Sequence, residues 1–168
     1  MRLRITTWNA NSVRLREAAL RRIVAEIRPD VLCLQETKVE DRLFPHELFT
    51  ELGFAHRHVH GQKAYHGVAI LSRLPLEDCH SRKWCGVEDC RHAVCRLPGG
   101  IELHDLYLPA GGDVPDPELN PKFAHKLAMV RELTDWFAAR RGDGTRLVLV
   151  GDLNIAPLET DVWSHRQL

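Results

Sequence analysis

The run Leu147-Val148-Leu149-Val150, followed at once by Gly151-Asp152-Leu153-Asn154, constrains the fold more than any other stretch. Four consecutive large apolar residues read as a strand buried on both faces, the kind found in sheets covered by helices. A glycine stops the run. Beyond it Asp152 and Asn154 are two apart, so on a persisting strand they face one way while Leu153 faces the other. A carboxylate and an amide oxygen side by side at a strand's C-terminal end form a hard-oxygen pair. Such a pair suits Mg2+ or Mn2+, or orients a water. Gly-Asp-x-Asn is equally good turn chemistry, and this stretch alone does not decide between the two.

The same ending recurs elsewhere. Leu3 to Trp8 reads as a strand and runs into Asn9; Val31-Leu32-Cys33-Leu34 reads as a short buried strand and runs into Gln35-Glu36-Thr37-Lys38. In open α/β sheets ligands gather beyond the carboxyl ends of the strands. Asn9, Glu36, Asp152 and Asn154 are therefore expected to converge. Two carboxylates and two amides leave room for water and a substrate phosphate, which is how Mg2+ is usually held. Each residue taken singly is a cap or a surface turn; the four together point to a site.

The rest of the chain supplies covering elements. Leu15 to Ile27 carries a helical apolar stripe and is stopped by Pro29. Pro45 to Leu52 reads as a short helix closed by Gly53, and Val68-Ala69-Ile70-Leu71 as a further strand. His92–Leu97 and Ile101–Tyr107 flank Pro98-Gly99-Gly100 as a hairpin. Asn120-Pro121 caps a long helix whose buried face is expected at Phe123, Leu127, Val130, Leu133 and Phe137. Hairpins mixed with strand–helix–strand units argue for an α/β layered sandwich of mixed β-sheets flanked by helices.

At 168 residues the chain has the length of one domain. Lys+Arg and Asp+Glu number 23 each, so a nucleic-acid partner is neither announced nor excluded, and local patches would have to provide for it. Arg14, Arg16, Lys38, Lys122 and Lys126 are candidates for phosphate contacts near the strand ends; solvated surface charge is an equally good reading. The chain opens directly on a strand pattern and has no apolar run of membrane-spanning length, which sets the expectation of a cytoplasmic protein. Five cysteines without a secretory context read as reduced thiols. Cys79, Cys85, Cys90 and Cys95 with His80 and His92 are too widely spaced for an ordinary zinc knuckle, and His56, His58 and His60 read as one face of an exposed strand.

Five collinear motifs carry a resemblance. Thr7-Trp8-Asn9-Ala10-Asn11-Ser12-Val13-Arg14, Leu34-Gln35-Glu36-Thr37-Lys38, Tyr65 to Arg73, Tyr107-Leu108-Pro109-Ala110-Gly111-Gly112 and Gly151-Asp152-Leu153-Asn154 stand in the order and spacing of bacterial exonuclease III. The chain thus resembles the AP endonucleases of the endonuclease/exonuclease/phosphatase superfamily. The resemblance implies a four-layered sandwich of two packed sheets. It implies metal-dependent hydrolysis of DNA phosphodiesters, as 3′→5′ exonuclease, abasic-site endonuclease and 3′-phosphatase. Carried over by motif, Glu36 is the principal ligand of Mg2+ (or Mn2+), with Asn9 beside it. Asp152 orients or deprotonates the attacking water and borders the metal. Asn154 holds a phosphate oxygen or supports the metal, and Tyr107 lies against the scissile phosphate. The implied partner is double-stranded DNA with abasic sites or 3′ ends, acted on by a monomer when the protein is complete.

The resemblance also sets an expectation about residues 1–168 as an incomplete domain. The family's later Arg-Ile-Asp-Tyr segment and terminal Ser-Asp-His, which supplies an Asp–His pair, have no counterpart here, and Trp163-Ser164-His165 does not match them. A chain of this extent is expected to have negligible activity alone and to associate through exposed apolar sheet surface. A phosphoesterase acting on a smaller substrate is the alternative within the same fold.

Overall fold

The computed structural model describes residues 2–162 and residue 164. In chain order the elements are β1 (Ile5–Asn9), a 3-10 turn (Val13–Leu15), α1 (Glu17–Ile27), β2 (Val31–Gln35), α2 (His46–Glu51), β3 (His56–His60), β4 (Val68–Ser72), β5 (Glu77–Ser81), β6 (His92–Leu97), β7 (Ile101–Tyr107), α3 (Pro121–Ala139) and β8 (Arg146–Asp152). The strands form two four-stranded sheets, ordered β1-β2-β4-β3 and β5-β6-β7-β8. The β1/β2 and β7/β8 pairs are parallel and the others antiparallel.

Side-chain alternation on β2 shows how the layers stack. Leu32 and Leu34 point outward into a core with Leu20 of α1 and Phe44, Leu48, Phe49 and Phe54 around α2. Val31 and Cys33 point the other way, onto Ala93, Cys95, Leu97 and Leu103 of the second sheet. Beyond that sheet Leu106, Leu108 and Trp84 pack on Met129 and Leu133 of α3. Helices, sheet, sheet and helix make four layers. Asn120 caps α3 as its sequence signals, its side chain accepting from the backbone N–H groups of Lys122 and Phe123.

A chain of hydrogen bonds fastens α3 to the second sheet. Trp84 Nε1 donates to His92 Nδ1 (3.0 Å), His92 Nε2 to His104 Nδ1 (2.9 Å), and His104 Nε2 to Glu102 Oε1 (2.8 Å). Glu102 in turn receives the Arg140 fork at 2.5 and 3.0 Å. An indole can only donate, so each imidazole is neutral and its tautomer is fixed in turn. Burial holds both histidines below their ordinary range, His104 down to about 4.

Several expectations need correction. β8 is not buried on both faces. It is the outermost strand of its sheet among the described residues, and Leu149 is 40% exposed. Leu127 is 43% exposed and Met129 takes its place in the core. At about 3.6 residues per turn the stripe through Met129, Leu133 and Trp136 leaves Leu127 on the opposite side of the helix. Leu15 belongs to the 3-10 turn and is exposed, and α1 begins at Glu17. The histidine strand β3 is half-buried, with His58 Nε2 3.0 Å from Ser81 Oγ on β5. β5 itself has no apolar pattern to announce it. Trp163 and His165 lie outside the described residues.

Candidate active site

Strand register assembles the site. In the parallel β1/β2 pair Asn9 stands opposite Gln35, which brings it beside Glu36 at the next position. In the parallel β7/β8 pair Tyr107 stands opposite Asp152. A cleft of 650 Å³ lies at the ends of β1 and β8, lined by Thr7, Trp8, Asn9, Gln35, Asp152 and Asn154 among others. From its wall Asn9 Nδ2 donates to Glu36 Oε1 (2.9 Å) and to Asp152 Oδ2 (2.7 Å). Tyr107 Oη donates to Glu36 Oε1 (2.8 Å), and Lys38 Nζ lies 2.8 Å from Glu36 Oε2.

Glu36, Lys38, His66 and Asn154 all have left-handed backbone with φ between 48° and 53°. Such conformations cost on the order of 1 kcal/mol or more each and persist where the surroundings over-determine them. Lys38 N donates to the His66 carbonyl (2.9 Å) and Thr37 N to that of Gly67 (3.1 Å). A Cβ at Gly67 would overlap Thr37 Oγ1, and one at Gly151 would overlap the Leu106 carbonyl. Glycine at 151 thus lets β8 approach β7 closely just before Asp152.

The electrostatics follow from these contacts. Burial raises the Glu36 carboxyl, but hydrogen bonds from Asn9, Lys38 and Tyr107 outweigh it and hold the group below its ordinary value. Glu36 is therefore anionic at neutral pH. Burial and the bond to Glu36 push the Tyr107 phenol up to about 12, so it remains a donor. Asn9 places one amide nitrogen between two carboxylates that would otherwise repel each other.

Not every expected residue reaches the centre. Asn9, Glu36, Tyr107 and Asp152 meet directly, and Lys38 joins them. Asn154 lines the cleft, but its Nδ2 donates to the Leu108 carbonyl (2.7 Å) while its backbone N–H donates to Asp152 Oδ1 (2.9 Å). It braces Asp152 and faces away from Glu36. Arg14 and Lys122 stand exposed at the flanks. Lys126 is nearer than either, donating to the backbone carbonyl of Asn154 at 2.6 Å. Sequence reasoning assigned no role to Gln35, which ties Thr7 Oγ1 (3.0 Å) to Asp105 Oδ1 (2.6 Å), or to Arg91 beneath Tyr107. Arg91 lies in an irregular segment with no periodicity to mark it. Gln35 continues the buried face of β2, and only its place beside Glu36 hinted at it.

The donor set fits a hard divalent cation. Two carboxylates converge on the Asn9 amide nitrogen, while the Asn9 amide oxygen accepts from Asn11 N (3.0 Å), and no imidazole or thiolate joins them; among the described residues no group of three or more His, Cys, Asp and Glu side chains is placed to hold a metal ion. Mg2+ characteristically takes one or two protein carboxylates and completes its shell with water and substrate phosphate.

Fold and site together define a class. Residues 6–167 match the Endonuclease/Exonuclease/phosphatase family, and the chain belongs to it. Exodeoxyribonuclease III of Haemophilus influenzae is 28% identical over 163 residues, a match covering 95% of this chain and 60% of that protein. An AP endonuclease from Archaeoglobus fulgidus superimposes with a TM-score of 0.84 at 31% identity, covering 99% of this chain and 63% of the other. A 3′-5′ exonuclease from Neisseria meningitidis gives 0.80 at 30% identity, covering 98% and 63%. A Neisseria 3′ phosphatase bound to product DNA hairpin likewise gives 0.80 at 30%. The chain therefore spans about three fifths of the length of these relatives.

Proposed function

We propose that this chain carries the metal- and water-holding part of a DNA-repair nuclease. The reaction is metal-dependent hydrolysis of DNA phosphodiesters, as 3′→5′ exonuclease and abasic-site endonuclease. One observation carries the reading: Asn9 bridges Glu36 and Asp152 from strand ends of two different sheets, with the Tyr107 hydroxyl on Glu36. The exodeoxyribonuclease III, AP endonuclease and 3′-5′ exonuclease among its relatives support it.

Glu36 would hold Mg2+ or Mn2+ with Asp152 beside it, and Asn9 would offer its amide oxygen on giving up the bond from Asn11 N. When bound, the cation supplies charge neutralisation on the phosphate's equatorial oxygens. Asp152 orients an in-line water and accepts its proton, a role open to a carboxylate whose second oxygen is fixed by the Asn154 backbone. Tyr107, kept protonated, donates to a phosphate oxygen as charge develops there. Asn154 keeps Asp152 in place. Lys38, Arg14 and Lys122 offer positive charge to the backbone of a DNA duplex bearing an abasic site or a 3′ end. A reduced cytoplasmic setting and a monomeric complete protein go with this reading; all five cysteines are free.

Residues 1–168 form an incomplete domain on this account, because the Asp–His pair expected from the family's last motif has no counterpart. The test is incision of a labelled abasic duplex in Mg2+. The 168-residue protein is assayed beside a form extended with the C-terminal segment of the Haemophilus exodeoxyribonuclease III. We expect negligible incision by the short form and Mg2+-dependent incision by the long one, lost in Asp152→Asn. Incision that survives Asp152→Asn, or a long form that cleaves only a soluble phosphomonoester, contradicts the proposal.

A further inference from the structure

We infer that Arg91 is a positioning residue that sets Tyr107 against Glu36, acting through a closed circuit of contacts between loops of both sheets. The inference takes from the nuclease reading only the role of Tyr107.

Arg91 lies just ahead of β6 and is 8% exposed. Each of its three nitrogens has a partner, using three of its five N–H groups. Nε donates to the Asp89 carboxylate, Nη2 to His66 Nε2 (2.9 Å) and Nη1 to the Tyr107 carbonyl (3.3 Å). The guanidinium carbon sits 4.8 Å from the centre of the Tyr107 ring. The Arg91 carbonyl accepts from Tyr107 N at 2.8 Å. Tyr107 is thus held by its backbone on two sides and by one ring face. The contacts this buried guanidinium makes with the site's own residues are to Tyr107, so its effect on the site runs through Tyr107.

The circuit continues through His66. Arginine only donates, so His66 Nε2 is an acceptor and Nδ1 carries the hydrogen, which it donates to the Asp89 carbonyl at 3.0 Å. The His66 and Gly67 carbonyls hold Lys38 N and Thr37 N, and Gly67 N donates to the Cys90 carbonyl at 3.0 Å. These bonds fix the left-handed turns at Glu36 and Lys38. The Tyr107 hydroxyl on Glu36 closes the loop. Only a planar fork with donors on separate edges can meet a carboxylate, an imidazole and a carbonyl while stacked on a ring. A lysine ammonium cannot.

The test reads Tyr107 directly, without metal or DNA, so it can fail while the nuclease reading stands, and the reverse. The protein has two tyrosines, and Tyr65→Phe removes the exposed one. [13Cζ]Tyrosine labelling then gives one NMR signal. In this parent, Glu36→Gln should move the signal. Adding Arg91→Met should abolish the response to Glu36→Gln. A folded Arg91→Met protein in which Tyr107 still answers to Glu36→Gln overturns the inference. Arg91→Lys, which keeps the charge, is expected to behave like Arg91→Met; parental behaviour would also overturn it. One reading needs no variant: 15N shifts of His66 in the parent must show the Nδ1–H tautomer, and an Nε2–H tautomer contradicts the circuit even if neither substitution folds.

Discussion

β2 and β8 carry similar apolar runs, Val31-Leu32-Cys33-Leu34 and Leu147-Val148-Leu149-Val150, and lead to carboxylates bridged by one amide nitrogen. Their surroundings differ. β2 lies between β1 and β4, with α1 and α2 on one face and the second sheet on the other, and each of its residues is buried. β8 has β7 on one side, and its residues are half-buried or exposed. An apolar run therefore announces a strand, while coverage is decided by which elements come to lie on it. For the site, Glu36 extends from a fully enclosed strand and Asp152 from the outermost strand of its sheet among the described residues. Asn9 is the direct bond between them.

The largest expected effect tests that contrast by truncation. Leu34→Ala, in a fully buried position, should cost about 2–5 kcal/mol in urea unfolding. Leu149→Ala, at 40% exposed, should cost less than about 1 kcal/mol. Equal costs would mean that β8 is covered as β2 is.

Next in size is acid sensitivity on the α3 side of the second sheet. His92 and His104 are held below their ordinary values, so between about 6.5 and about 4 the unfolded chain binds protons that the folded chain does not. Stability is then complete above about pH 6.5 and declines as pH falls towards 4. For His104, lowered to about 4, the total loss is about 3 kcal/mol. Asp105, raised by burial, acts in the opposite sense, so the slope is read as the difference between the parent and His104→Gln. Unfolding followed from pH 7.5 to 4.5 should show a much shallower slope in the variant. Parallel slopes would mean that the histidines are not sealed as the structure has them.

How much of this was legible in the sequence follows from the same contrast. Local signals were reliable where one residue's chemistry decides: Pro121 after Asn120, the glycines of the β6–β7 hairpin, and polar residues closing apolar strands. Glu36, Asn9 and Asp152 were legible because each ends a strand pattern, and their meeting was read from the general habit of α/β sheets and from the family motifs. The edge position of β8 was not legible, since burial depends on neighbours distant in sequence. β5 was hidden because its exposed Glu77, Asp78 and His80 carry no apolar alternation. Arg91 and the inward Asp105 were missed for a related reason: their partners, Tyr107 and Gln35, are 16 and 70 residues away. The outward turn of Asn154 depends on the Leu108 carbonyl, which nothing within Gly-Asp-Leu-Asn reveals.

The central claim is that Glu36 and Asp152, bridged by Asn9, form a site for a hard divalent cation, and cation binding tests it without requiring turnover. Mn2+ titrated calorimetrically into the 168-residue protein should bind. Glu36→Gln, which removes the charge while keeping the shape, should weaken binding by about tenfold or more, equivalent to about 1.4 kcal/mol. Asp152→Asn should weaken it less, because Asp152 borders the position that Glu36 anchors. Mn2+ affinity unchanged by Glu36→Gln would contradict the account.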